Sequence, residues 1–272
     1  MSPSYLGVFL TFARNSLIRD MTFRTNFIIE VVSSMSWMIM NLGFYTLVYE
    51  QTPSIVEWTK YEFFVFIATT MFVNSLVQTF FMPNAQELSE LVRTGGLDFA
   101  LLKPIDTQFL VSLHRVNFSS LGNFFVALLL LGYSLPRIEG LELSPVQFLL
   151  YPLYLVMGVL ILYSVMITLA ATSIWLGRNQ SLYDFWFYIT NFSRYPMEIY
   201  SGSFGGNALR WVFTFVVPIL VVINVPARIL AWPLSGDQAG LALFALAATT
   251  ASLLFSRWVF KQALLAYRSA SS

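Results

Sequence analysis

Long apolar runs divided by short polar breaks dominate the chain, and their lengths predict helices that cross a membrane, since a hydrocarbon core asks for about 20 apolar residues in helical form. The first run extends from about Asn26 to Tyr49 with Glu30 as its only charge, and a polar loop from Glu50 to Lys60 carries Pro53. A second run covers about Tyr61 to Met82, residues 83–106 are polar, and a third run follows from about Phe109 to Tyr133. A short loop from Pro136 to Ser144 holds Arg137, Glu139 and Glu142. The fourth run, Val146 to Leu176, is long enough to cross with tilt and still project. Arg178 to Gly206 is half polar, aromatic and too interrupted for a simple span, so the fifth and sixth spans are placed at about Leu209 to Leu230 and Leu241 to Phe260. Ahead of them, Leu6, Phe9, Leu10, Ala13 and Leu17 recur at helical spacing with Arg14, Arg19 and Asp20 elsewhere, which predicts an amphipathic interfacial helix within 1–22. The expectation is an all-α membrane protein of six transmembrane helices, one domain over 1–272.

Composition supports this reading. Hydrophobic residues make up 57% of the 272 and charged ones only 11%, against about 25% charged in soluble domains. Such a chain is no cytosolic enzyme, nucleic-acid binder or disordered segment. The N-terminus does not read as a signal peptide, because its positive charges follow the apolar stretch. Trp58, Tyr61, Tyr133 and Trp232 fall near span ends, where an aromatic belt would place them. Basic residues set the expected orientation. Arg14, Arg19, Arg24, Arg93, Lys103, Arg178, Arg194, Arg257, Lys261 and Arg268 fall on the side of the termini, against Lys60, Arg137 and Arg228 opposite, which puts both termini in the cytoplasm.

Catalytic chemistry is nearly absent from the pattern. There is no cysteine, His114 is the single histidine, and neither an HExxH nor a GxSxG sequence occurs. The run from Gly202 to Gly206 lacks the ending of a phosphate loop and reads as a turn between helices. No catalytic, cofactor or metal residue is assigned. The polar segment 83–106 is more informative. Pro83 closes span two, Asn84 is a candidate N-cap, and Ala85 to Thr94 form a short helix stopped by Gly95 and Gly96. Leu88, Leu91 and Val92 share one face, Glu87, Glu90 and Arg93 lie elsewhere, and Glu90 can pair with Arg93. Such a helix either rests in the headgroup layer or docks a cytoplasmic partner.

Charged and polar groups inside spans are functional candidates. Glu30 and Arg115 lie at similar depth and are a candidate intramembrane ion pair. Asn41, Asn74, Gln78, Asn117 and Asn123 either line a polar path or bond between helices. His114 is a pH sensor or a structural histidine beside Arg115. The rest of the path is apolar and aromatic, which suits an amphipathic or lipid-like cargo better than an ion.

The stretch Glu90-Leu91-Val92-Arg93-Thr94-Gly95-Gly96-Leu97-Asp98-Phe99, continuing through Lys103-Pro104-Ile105, resembles the cytoplasmic segment of ABC-2-type permeases. Phe192-Ser193-Arg194-Tyr195-Pro196, and Val217-Pro218 through Asn224-Val225-Pro226-Ala227, resemble later segments of one branch of that family, in the same order. The resemblance implies the transmembrane subunit of an ATP-binding cassette exporter in a cell membrane such as the bacterial inner membrane, working as a dimer with a second copy or a related permease. Separate ABC ATPase subunits would bind from the cytoplasm and carry ATP and Mg; this chain would hold no cofactor. Residues 83–106 would be the coupling segment, with Glu87, Leu88, Glu90, Leu91, Arg93, Asp98 and Lys103 as its ATPase-coupling residues. Arg194 would be a second cytoplasmic contact or a snorkelling arginine. The resemblance also implies a re-entrant or short extracytoplasmic helical element between spans five and six, for which the loop Pro226 to Gly240 is short. Competing classes are an ATP-independent channel or assembly factor, and an intramembrane enzyme that the missing catalytic constellation disfavours.

Overall fold

The computed structural model describes residues 4–22, 24–176, 180–233 and 236–267. The chain is helical almost throughout, as its apolar periodicity requires. Helix α1 (Tyr5–Thr22) leads into α2 (Arg24–Gln51), and a two-residue antiparallel hairpin of β1 (Ser54–Ile55) and β2 (Trp58–Thr59) turns the chain into α3 (Lys60–Phe80). Glu62 Oε2 accepts the Thr59 N–H at 2.7 Å, satisfying a donor that the helix start would leave open. Three short helices follow: α4 (Met82–Arg93), α5 (Gly96–Leu101) and α6 (Thr107–Leu113). Then come α7 (Leu121–Ser134), α8 (Pro145–Ala171), α9 (Ser173–Leu176), α10 (Gln180–Asn191), α11 (Phe204–Trp211), α12 (Ile219–Ala231) and α13 (Gly236–Ala266). Among the described residues, five stretches are long and apolar enough to cross a membrane: 31–51, 60–93, 118–137, 145–176 and 239–266.

The order of crossings follows from which ends meet. Tyr154 Oη, early in α8, donates to the carbonyl of Ala242, early in α13, at 3.1 Å. Ile167 and Ala171, late in α8, share a buried cluster with Val259, Phe260 and Ala263, late in α13. The two helices are therefore parallel, and the chain must return across the bundle once between them. That return is α10, extended by a 3-10 turn at Phe192–Arg194; residues 180–194 rise roughly 22 Å at helical spacing. Beyond it, Met197 N donates to Asn224 Oδ1 at 2.9 Å, and Trp58 Nε1 of the hairpin donates to Glu198 Oε2 at 3.2 Å. The chain has thus reached the hairpin end of the bundle.

The expected fifth span at Leu209 to Leu230 is corrected by this geometry. A π-helical turn at Val212–Val216 continues α11, the helix stops before Pro218, and α12 leaves at 86° to the first limb. Pro218 has no N–H to carry the ladder across the break. Helix α12 then climbs antiparallel to α8, and Trp232, just past its end, lies 4.7 Å from Trp58, ring centroid to centroid. Residues 204–231 leave the hairpin end and come back to it as a broken, re-entrant element. The loop Pro226 to Gly240 does not have to house that element, because it lies upstream. The interrupted stretch after Arg178, whose first residues 178–179 fall outside the described ones, contains the crossing instead.

Close packing holds α12 in place. All its residues are buried except Arg228, and Gly158 of α8 lets the two backbones meet: a Cβ at 158 would lie 2.6 Å from the Val222 carbonyl oxygen. Small residues permit this approach between membrane helices. Gln147 secures the same pair at their hairpin end. Its Oε1 accepts the Ser144 N–H at 2.8 Å, and its Nε2 donates to the carbonyls of Ile229 and Trp232 at 2.8 and 3.1 Å. Trp58, expected in an aromatic belt, is fully buried among Phe66 and Trp232.

At the other end α1 lies across the bundle. Tyr5 packs edge-on to Phe109 at 4.9 Å, Phe9 lies 6.2 Å from Phe80, and Leu6, Leu10 and Leu17 face outward. Span three begins later than expected, at Phe118 and not at Phe109. Four consecutive amides explain the break. Arg115 N donates to Asn84 Oδ1, Val116 N to Ser16 Oγ, Asn117 N to the Thr79 carbonyl and Phe118 N to Asp20 Oδ2. With every N–H taken by another element, the helical ladder has no claim on them.

Candidate functional site

Two features of the bundle carry polar chemistry: the mount of α4–α6 at the α1 end, and a cavity between α2, α3, α7 and α10.

The mount begins with the amphipathic face expected of 85–94. Leu88 of α4 and Leu97 of α5 are fully buried against Ile167, Ala171, Phe260 and Ala263, with Leu91 and Val92 partly buried beside them. Gly95 takes φ 72°, the left-handed conformation that lets α5 fold back on α4. Asn84 is not the N-cap, a position held by Phe81; it is buried inside α4, where its Nδ2 donates to the carbonyls of Phe80 and Arg115, each at 2.8 Å. That clamp ties α4 to the broken start of span three.

Charged groups complete the mount. Arg115 Nη2 lies 2.9 Å from Glu87 Oε1, and His114 Nε2 lies 3.0 Å from Glu87 Oε2. The sequence paired Arg115 with Glu30, whose side chain lies outside the described residues. Burial pushes His114 below the ordinary histidine range, and nearby Arg115 and Arg19 add to this against the opposing pull of Glu87. Asp106 pairs with Arg257 of α13, whose Nη1 also donates to Gln108 Oε1 at 3.0 Å. Burial alone would raise the Asp106 carboxyl; the Arg257 guanidinium and the Phe109 and Gln108 amides outweigh it and hold the group below the usual carboxylate range. Tyr163 of α8 joins through Gln108 Nε2 at 3.0 Å and Ser112 Oγ at 2.9 Å. The segment is thereby bonded to α8 and α13.

What remains outward is narrower than the predicted set. Glu90 and Arg93 pair on the surface, with Arg93 Nε donating to Glu90 Oε2 at 2.8 Å, and Lys103 is exposed. Leu88 and Glu87 face inward and hold the mount; Leu91 and Asp98 are half-buried. Two apolar residues outside the predicted set stand beside them: Phe99 is 72% exposed and Leu102 82%. Apolar side chains in an otherwise polar segment were the available signal, as was Arg257 inside an apolar run for the Asp106 pair.

The cavity has a volume of about 600 Å³. It gathers Asn41 of α2, Asn74 and Gln78 of α3 and Asn123 of α7, four of the five polar-path residues. Asn117 is elsewhere; its Oδ1 accepts the Ser119 N–H at 3.2 Å and starts a 3-10 turn. Met38, Ile67, Met71 and Phe187 supply apolar wall. Arg194, expected on the side of the termini, lines the cavity beside Tyr195 in the half nearest the hairpin. Moving Arg194 off the side of the termini narrows by one the charge bias read from the sequence; Arg210, which that count left out, places its Nη2 3.6 Å from Met197 Sδ. Above the cavity, Glu198 forms an ion pair with Arg228, and the Arg228 guanidinium lies 5.1 Å from the Trp232 ring. The pair, with Trp58, binds the hairpin, the 3-10 turn at Met197–Tyr200 and α12 together.

A family model described as ABC-2 family transporter protein matches residues 35–271. No curated protein and no solved structure matches.

Proposed function

The chain belongs to the ABC-2 family of transporter proteins, and on that premise we propose that it is the permease of an ATP-driven exporter whose hydrolysis takes place on a separate ABC ATPase subunit. The observation that carries this is the mounted helix pair α4–α5. It presents Phe99, Leu102, Lys103 and the Glu90–Arg93 pair outward while Leu88, Leu97 and Asp106 bind it to α8 and α13. An exposed apolar pair rimmed by charges has the make-up of a small protein contact. Helices bonded on their inner face transmit a push as a rigid body, which a loose loop cannot do. In this reading the α1 end is cytoplasmic, α1 lies in the headgroup layer, and nucleotide-dependent movement of the ATPase tilts α4–α5 and so shifts α8 and α13. The cavity holding Asn41, Asn74, Gln78 and Asn123 is the translocation path. A second copy or a related permease packs beside α2, whose Val32, Met35, Ile39, Met40 and Leu47 are exposed.

Co-expression with the candidate ATPase tests this. The two should co-purify, and Phe99→Ala with Leu102→Ala should lower permease-stimulated hydrolysis by on the order of tenfold, the loss typical of contact anchors, without changing the melting temperature of the permease. Unchanged stimulation removes the docking role, and absence of any nucleotide-dependent transport in the co-purified complex removes the exporter reading.

A further inference from the structure

We infer that the cavity takes an amphiphile with an uncharged, hydroxyl-bearing head, seated with that head toward the α1 end. This rests on the transport reading above and names the cargo class of the same site. Interior carboxamides elsewhere in the bundle are engaged. Asn84 clamps α4 to the start of span three, Asn224 accepts the Met197 N–H and donates to the Leu220 carbonyl, and Gln147 bonds α8 to α12. Asn74 of α3 and Asn123 of α7 differ. Both are half-buried in the cavity wall, and the side chain of neither hydrogen-bonds to another described group. Gln78, one turn beyond Asn74, shares that condition at an exposed position and marks the mouth. The backbone around them is fixed: Ser75 Oγ donates to the Ser120 carbonyl at 2.7 Å and Asn117 N to the Thr79 carbonyl at 2.9 Å, which ties this end of α3 to the start of α7.

A carboxamide offers two N–H donors and one carbonyl acceptor, so a ligand that both donates and accepts matches such groups. A hydroxyl does both. A carboxylate or phosphate head only accepts and leaves the amide oxygens facing a negative charge; an ammonium head only donates. A head without hydroxyls strips water from the amides without replacing it, so a site that hydrogen-bonds a hydroxyl discriminates against the analogue lacking it. Toward the hairpin end the same stripe of α3 turns apolar. Met71 and Ile67, at helical spacing before Asn74, line the deeper part with Met38 of α2 and Phe187 of α10. From Ile67 to Gln78 the stripe runs roughly 16 Å. The head of a cargo thus meets Asn74 and Asn123, and its body lies on the methionines and Phe187.

The test uses the full chain in phosphatidylcholine nanodiscs and three tritiated probes with one apolar body: pyrenedecanoic acid, its methyl ester and its glycerol monoester. Scintillation proximity reads binding above that of empty discs. The glycerol ester should bind more tightly than the methyl ester by on the order of tenfold, the worth of two hydrogen-bonded hydroxyls in a partly exposed site. The free acid should bind no more tightly than the methyl ester. Asn74→Leu and Asn123→Leu, on different helices, should each lower the preference to roughly threefold or less while methyl-ester binding is kept. Equal binding of the two esters by the unaltered chain, tighter binding of the acid than of the glycerol ester, or a preference untouched by both variants overturns the inference. Met71→Trp fills the apolar part and should abolish binding of both esters; a preference that survives it places the hydroxyl site outside the cavity and overturns the inference. Binding needs no ATPase, so a preference found in a complex without nucleotide-dependent transport upholds the site and removes only the exporter reading. Competition by diacylglycerol added to the disc identifies the amphiphile as a membrane lipid, and its failure to compete identifies a free one; both outcomes uphold the hydroxyl-bearing head.

Discussion

Adding a single methyl group at Gly158 should measurably loosen the bundle. An alanine Cβ there would stand 2.6 Å from the Val222 carbonyl oxygen and 3.1 Å from its Cγ1, where ordinary contact begins at 3.4 Å. Neither neighbour is the free end of a flexible chain, since the oxygen belongs to the backbone of a buried helix. Helix α12 must therefore withdraw by about 0.8 Å from α8. Overpacking of this kind costs ~1–3 kcal/mol, offset by up to about 1 kcal/mol from the better helix propensity of alanine. The net loss of roughly 1–2 kcal/mol should lower the melting temperature in detergent by about 2–8 °C. Gly132→Ala is the matched control, because nothing lies within 4 Å of its would-be Cβ, and it should leave stability unchanged or slightly improved. Thermal unfolding of purified protein, followed by static light scattering and circular dichroism, reads both. If the two variants melt together, the proposed close approach of α8 and α12 is wrong, and with it the placement of the re-entrant limb.

Four further outcomes follow from the same contacts. Glu198→Gln leaves the Arg228 guanidinium without its carboxylate at sites only 10% and 16% exposed, so it should destabilise by about 3–5 kcal/mol, and Glu198→Gln with Arg228→Met should recover part of that loss in the same melting assay. The Asp106–Arg257 pair is 29% and 39% exposed and is screened accordingly, so a double-mutant cycle should give a coupling of about 1 kcal/mol. Because the folded Asp106 carboxyl lies below its unfolded range, that contribution is present above the unfolded pKa and is lost as pH falls through the folded one, whereas Asp106→Asn should show no such step. His114 shifts the same way: its folded pKa is depressed, so the unfolded chain takes a proton first, stability drops as pH falls below the ordinary histidine value of 6.5, and His114→Gln should flatten that slope. The absence of cysteine allows single-cysteine topology mapping, in which Val56→Cys and Phe204→Cys should react with an impermeant maleimide from one face and Leu102→Cys from the other; labelling of Phe204→Cys together with Leu102→Cys would contradict the re-entrant arrangement.

Hydropathy alone was sufficient for the membrane class, the helical architecture and five of the six crossings, because a span must satisfy its own backbone and therefore appears as an unbroken apolar run. The face of α4 was equally legible: Leu88, Leu91 and Val92 repeat at helical spacing, and a helix lying on a bundle must bury one stripe. The polar-path residues were chosen one by one from their cost in lipid, and four of the five meet in one cavity.

The remaining crossing was exchanged by tertiary structure, from one stretch of the chain to another. Residues 209–230 have the composition of a span, yet the chain bends at Pro218 because α12 finds a closer partner in Gly158 of α8 than lipid could offer. Residues 180–194 look too polar to cross, yet Trp186 and Ile189 are buried in the core, so that crossing is shielded by neighbours and its composition need not match the bilayer. The start of span three is decided by partners 31 to 100 residues away, Asn84, Ser16 and Asp20, which take the amides of 115, 116 and 118. What the chain determined by itself are the quantities that depend on each segment's own contact with lipid. Which apolar stretch crosses, where a helix breaks and whether Arg194 lies on the surface or lines a cavity depend on groups distant in sequence, and only folding brings those together.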